Sequence, residues 1–267
     1  MRSDAGLTPD VAVHVTTKGV TSDAAEYART KIGRLGKYAH RPVRYARVRL
    51  SALRGAAVQE RVVAQANLDV DGRIVRAQVE GATAREAIDL IEERLRHRLH
   101  RAAEHWEARR GRMSTSRSTG WRHDSEPAHR PTWYPRPADE RRIIRRKSFS
   151  IDVRTVDEAV AEMEFLDHDF HLFTETGTKA TSVLYRGGPS GYRLALLAPE
   201  LIGELSPFEE PVVISPHPAP CLSESAAIER LNVLGMPFLF FIDAAEGRAC
   251  VLYHRYDGHY GLITPAG

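Results

Sequence analysis

The sequence predicts an α+β chain in three parts: a compact N-terminal domain, a basic linker and two small tandem repeats. Three observations carry this. Apolar residues recur in strand and helix periods, in the order strand, helix, three strands, helix, as far as Arg110. Residues 113–147 are rich in Ser, Arg, His and Pro and show no period. The remaining chain repeats itself at an offset of 68.

In the N-terminal domain, residues 1–112, Val11, Val13 and Val15 alternate along a first strand, Val11 to Gly19. Thr21, Ser22 or Asp23 can cap the helix that follows, because a short side-chain oxygen accepts from first-turn amides. Ala25, Ala28, Ile32 and Leu35 give that helix its apolar stripe. Val43 to Ser51 and Arg61 to Val70 read as paired strands around a loop at Gly55. Asp71-Gly72 is a hairpin turn into a fourth strand, Arg73 to Val79. The last helix carries Ile88, Ile91, Leu95, Leu99, Ala102 and Trp106 at spacings of three and four. The order is βαβββα, a four-stranded sheet with two helices on one face.

Charge divides the chain. The net +3 is the sum of +8 over residues 1–112, +5 over 113–147 and −10 over 148–267. A basic front and an acidic back suggest a polyanion partner for the first part and a different task for the second. Arg94, Arg98, Arg101 and His105 form a second stripe on the long helix, beside its apolar one. No run of about 18 apolar residues exists, neither basic helix has a large exposed apolar face and no signal pattern opens the chain, so a cytoplasmic protein without a membrane partner is expected. Cys221 and Cys250 are too few for a disulfide framework. His217, Cys221, Cys250 and His254 lack the tight spacing of a closed zinc site, and no phosphate-cradling or nucleophile motif is present. Neither an enzyme nor a cofactor is therefore expected.

The words KIGRLGKY, DGRIVRAQVEGA and TAREAIDLIEERL, in this order and spacing, resemble the ribosome hibernation-promoting factors, the ribosomal S30AE or sigma-54 modulation family, over about the first 110 residues. The resemblance implies a domain that lodges in the decoding channel of the small ribosomal subunit, blocks mRNA and tRNA, and silences translation without catalysis. It implies rRNA contacts from Lys31, Arg34, Lys37, Arg76, Arg85, Arg94, Arg98 and Arg101.

In the linker, Trp121, Trp133 and Tyr134 either stack on bases or dock on the protein's own domains. Arg141, Arg142, Arg145, Arg146 and Lys147 are a candidate secondary RNA contact. The two repeats, residues 148–205 and 206–267, each read as a helix (Val156 to Leu166; Glu224 to Leu234) and about three strands. Phe170, Phe173 and Tyr185 align with Phe238, Phe241 and Tyr253 and are expected to form the core through which the repeats pair. Both repeats are similar to the C-terminal domain of long family members, the second more closely, in Phe238-Leu239-Phe240, Val251-Leu252-Tyr253, Asp257-Gly258 and Tyr260-Gly261-Leu262-Ile263. Members with one such domain pair two ribosomes through it. The twin form resembles the hypoxia- and dormancy-associated members and implies a stress factor.

Two repeats in one chain can satisfy each other as an intramolecular pseudo-dimer. The expectation is thus a monomer that parks single ribosomes. A factor pairing ribosomes between chains, and a general RNA-binding or transcription-side regulator, are the alternatives.

Overall fold

The structure, a computed structural model, describes residues 11–55, 58–110, 133, 136–149, 152–187 and 191–266, with the side chains of 54–60, 104–110 and 149 excepted. His105, Trp106, Trp121 and Tyr134 lie outside the described side chains. Two compact units form: Met1–Pro131 with Glu164–Asp167, and Thr132–Met163 with His168–Gly267.

In the first unit, strand β1 (Val13–Lys18) leads into helix α1 (Ser22–Gly33), which tightens into a 3-10 segment, Arg34–Tyr38. Strands β2 (Val43–Gly55), β3 (Val58–Val70) and β4 (Arg73–Gly81) precede helix α2 (Ala84–Arg110). The sheet order is β1-β2-β3-β4, with β1 parallel to β2 and the other pairs antiparallel. β2 and β3 run further than expected, to Gly55 and from Val58, because their ladder continues into the segment read as loop. The hairpin between β3 and β4 turns on Asp71 (φ 52°) and Gly72 (φ 85°), the left-handed pair an Asp-Gly turn requires.

α2 opens with a cap: Thr83 accepts from the Glu86 amide at 3.1 Å and the Glu86 carboxylate accepts from the Ala82 amide at 2.7 Å. At α1 the N-cap is Thr21, but its side chain makes no capping bond, and the Ser22 hydroxyl faces Asp23 instead. The helices bury Ala28, Ile32, Leu35, Ile88, Ile91, Leu95 and Leu99 against Ala46, Val48, Leu50, Leu68 and Val75 of the sheet. Each such Val, Leu or Ile side chain contributes about 1.5–3 kcal/mol on leaving water.

The second unit holds β5 (Ile143–Phe149), β6 (Val153–Arg154), β7 (Phe170–Glu175), β8 (Thr181–Arg186), β9 (Tyr192–Leu196) and β10 (Val212–Ile214). β11 (Cys221–Leu222), helix α4 (Glu224–Leu234), β12 (Phe238–Asp243), β13 (Ala249–His254) and β14 (Tyr260–Pro265) follow. Helix α3 (Val156–Phe165) stands between β6 and β7. Two five-stranded sheets form, in the orders β10-β9-β8-β7-β6 and β11-β12-β13-β14-β5. The 68-residue offset survives in the register: Phe170 faces Tyr185 across one sheet as Phe238 faces Tyr253 across the other.

The edge strands are exchanged. β5 stands ahead of α3 and the first repeat's other strands but pairs, parallel, with β14 of the second, while β10 stands near the start of the second repeat and pairs, parallel, with β9 of the first. This corrects the reading of 113–147 as an unstructured tether: its last residues, from Ile143, are a strand. Pairing on an edge explains why an Arg-rich run can be a strand at all, since charged residues there cost little and discourage further pairing.

A second correction concerns Phe173 and Phe241. Alternation along β7 and β12 sends Phe173 into the α3 core, with Val160 and Met163, and Phe241 into the α4 core, with Ala227 and Leu231. Between the sheets lie Phe170, Leu172, Val183, Tyr185, Phe238, Phe240 and Val251. Phe170 stacks on Phe238 with centroids 4.8 Å apart and meets Tyr253 at 5.8 Å, and Tyr185 meets Phe238 edge-on at 5.5 Å.

Candidate nucleic-acid interface

The basic residues of the first unit differ in how far their charge is already spent. Lys31, near the end of α1, sits 2.8 Å from Asp89 of α2, which also accepts from the Tyr27 hydroxyl at 2.7 Å. The Asp89 hydrogen bond holds the Lys31 amine above its usual value. Burial works against ionising Asp89, but the bonds from Lys31 and Tyr27 outweigh it and lower its carboxyl. Arg85 lies over the Tyr27 ring at 4.7 Å and keeps its exposed guanidinium facing water.

Arg94 and Arg98 donate to Asp167 at 2.9 and 2.6 Å, and Arg98 also donates to the Glu164 carbonyl. Arg101 is 3.8 Å from Glu164. Glu164 and Asp167 belong to the first unit. Asp167, with φ 51°, stands at the position that Gly235 (φ 59°) takes 68 residues on, at the end of α4. Arg98 is only 8 % exposed. Arg76 donates to Gln78 at 3.3 Å, on β4. Arg34 and Lys37 are exposed at the end of α1.

Sequence reasoning passed over several cations. Arg47 and Arg49 alternate with buried Val48 and Leu50 on β2, so they face water from the uncovered side of the sheet. Arg96 and His100, one helical turn apart on α2, stand against Tyr38. Their signal in the sequence was the i, i+4 spacing.

In the secondary basic run, Arg141 donates to Asn232 at 2.8 Å and to the Arg136 carbonyl at 2.7 Å, and Arg146 makes a two-pronged contact with Glu224 at 2.7 and 2.9 Å. Arg142 and Arg145 are exposed, and so is Lys147. Trp133 stacks on His254 of β13, 4.3 Å between centroids and 8° from parallel. Among the described residues no group of three or more His, Cys, Asp or Glu is placed to hold a metal, and no helix is long and apolar enough to cross a membrane.

Residues 13–106 match the family described as sigma 54 modulation protein / S30EA ribosomal protein, and residues 138–194 and 209–262 each match its C terminus. The chain belongs to the S30AE family. Each S30AE C-terminal match begins ahead of its exchanged strand, so the exchange passes β5 and β10 between two whole family domains. A dormancy associated translation inhibitor from Mycobacterium tuberculosis is 41% identical over 152 residues, 51% of this chain and 56% of that protein. The chain thus spans about half the length of that relative. A ribosome hibernation promotion factor from Picosynechococcus is 24% identical over 173 residues, 65% of this chain and 89% of that protein. The solved N-terminal domain of Protein Y from Thermus thermophilus is 26% identical, covering 35% of this chain and 98% of that one, with a TM-score of 0.29.

Proposed function

We propose that this S30AE chain is a translation silencer of the cytoplasm that occupies the decoding channel of the small ribosomal subunit and excludes mRNA and tRNA. The observation that carries the reading is the helical layer of α1, its 3-10 extension and α2, which offers exposed cations at Arg34, Lys37 and Arg85 from a rigid sheet-backed domain. Such a surface replaces counterions on RNA phosphates and performs no bond chemistry. Lys31, Arg94, Arg98 and Arg101 lie on the same helices, with part of their charge held by protein groups, and Arg76 lies on β4, on the face of the sheet away from them. RNA phosphates would compete for them. The relatives named for translation inhibition and ribosome hibernation support this reading.

The twin C-terminal domains act as a closed intramolecular pair, so that one chain serves one ribosome. Reciprocal strand exchange supports this: each sheet already has the edge strand that a second copy would otherwise supply. The exposed residues Arg142, Arg145 and Lys147 then offer a second, weaker contact with RNA.

Cosedimentation tests the proposal. Pelleting with ribosomes at one chain per ribosome, lost as salt rises, is the expected result. Equal affinity for unrelated structured RNA would favour a general RNA-binding regulator, and ribosome dimers at one chain per ribosome would favour pairing between chains.

A further inference from the structure

Four side chains of the first unit converge where the 3-10 segment meets α2. The Lys37 amine lies 4.8 Å from the centre of the Tyr38 ring, the Arg96 guanidinium 5.8 Å from it, and the His100 ring 6.5 Å away at 46°. Arg96 and His100 are four residues apart on α2 and so project on one side. Tyr38 is half-buried against the core, which fixes the phenol, whereas Lys37 and His100 are exposed. No acidic side chain among the described residues pairs with Lys37, Arg96 or His100, in contrast to Lys31, Arg94 and Arg98, each of which has a carboxylate within 3 Å. Lys37 first and Arg96 second also hold the Tyr38 phenol below its usual value.

We propose that Lys37, Tyr38 and Arg96, flanked by His100, form a seat for one phosphodiester group of an RNA strand. Two cations gathered over the ring of one hydroxyl-bearing side chain, with no acidic side chain among the described residues to neutralise them, match the charge and acceptor oxygens of a phosphate. The class of ligand rests on the RNA-binding reading above; the seat itself rests on the convergence. A bare structural staple between the 3-10 segment and α2 would need only one of the cations over the ring, and gains nothing from leaving both unpaired.

The experiment uses the full chain with isotope-labelled Tyr and His, titrated separately with inorganic phosphate and with hexauridylate, reading the Tyr38 and His100 ring resonances. Both ligands are expected to shift them saturably, hexauridylate at lower concentration. Lys37→Ala/Arg96→Ala, its fold checked by circular dichroism, should abolish the shifts, weaken hexauridylate about tenfold and reduce the slope of log affinity against log salt by about one. Tyr38→Phe, which keeps the ring, should weaken it severalfold with the slope unchanged. Arg47→Ala/Arg49→Ala should leave the Tyr38 and His100 shifts in place. Shifts that persist in the folded Lys37→Ala/Arg96→Ala chain, or no shift with either ligand, would overturn the seat even if ribosomes still bind. Shifts with phosphate but none with hexauridylate would keep an anion seat and overturn its assignment to RNA.

Discussion

Phe170 and Phe238 stack 4.8 Å apart, at 35°, although 68 residues separate them in the chain. They are the same position of two S30AE C-terminal domains, so the contact lies on the internal pseudo-symmetry of the second unit. Each ring touches the other domain's tyrosine as well, Tyr253 and Tyr185 respectively.

That relationship predicts coupling. Phe170→Ala and Phe238→Ala should each destabilise the second unit by about 2–3 kcal/mol, less than full core truncations because both rings are only partly buried. Urea unfolding of the single and double variants should give a coupling of about 0.5–1.5 kcal/mol. Strict additivity would mean that the rings do not depend on each other.

The exchanged strands make a directional prediction. Ile143→Asp, which places a charge where β5 packs on the α4 core, should loosen β14 of the second domain more than β9 of the first, although residue 143 belongs to the first family domain. Hydrogen exchange reads the two strands separately. Equal loosening, or loosening of β9 alone, would contradict the exchange.

Gly261 faces Tyr253 across β13 and β14 so closely that an added Cβ would collide with the phenol ring. Gly261→Ala should therefore cost about 1–3 kcal/mol through displaced packing. At the equivalent pair in the first domain Tyr185 faces Arg193, a residue with a long side chain, and Arg193→Ala should be close to neutral. Thermal melts of both variants check the contrast.

Acid should weaken the second unit through two partly buried histidines. Burial pushes His171 down to about 4, with Arg154 adding to the effect and Asp152 opposing it, and burial with Arg141 pushes His254 to about 4. Neither the His171 Nε2 nor the His254 Nδ1 has a hydrogen-bond partner among the described residues. The unfolded chain binds these protons near pH 6.5 and the folded one only near 4. Stability is then complete above pH 6.5 and falls as pH drops towards 4, by up to about 1.4 kcal/mol per pH unit for each histidine. Urea midpoints at pH 7.5 and 5 should differ in the native chain and converge in His171→Phe/His254→Phe. Glu175 acts lower: burial opposes its ionisation, but amides of Thr178, Gly177 and Ser206 depress its carboxyl, so its contribution is present above its ordinary value of 4.5 and lost below.

Much of this fold is legible in the sequence because its signals are local. The stripe from Ile88 to Leu99 and the Asp71-Gly72 turn are set by neighbours in the chain, and α4 occupies Glu224–Leu234 as its pattern predicts. The exchange of β5 and β10 is not legible. Ile143–Phe149 has three consecutive cations at its centre, β6 and β11 have two residues each, and parallel partners far along the chain leave no periodic trace. Phe173 and Phe241 misled for a related reason: a conserved offset between repeats marks equivalent positions, and only strand alternation says which face each occupies. Of the candidate RNA site, the charges were readable but their neutralisation was not. Asp167 lies 69 residues from Arg98 and Asp89 lies 58 from Lys31, distances at which only the folded chain decides the pairs.

The central claim is that a cationic two-helix surface fills the ribosome's message channel without chemistry. A cryo-microscopy map of ribosomes saturated with this chain tests it most directly. The account predicts density for the first unit in the small-subunit decoding channel, with α1 and α2 against rRNA and Arg34, Lys37 and Arg85 near phosphates. A map in which the chain is bound elsewhere and that channel is empty would contradict it.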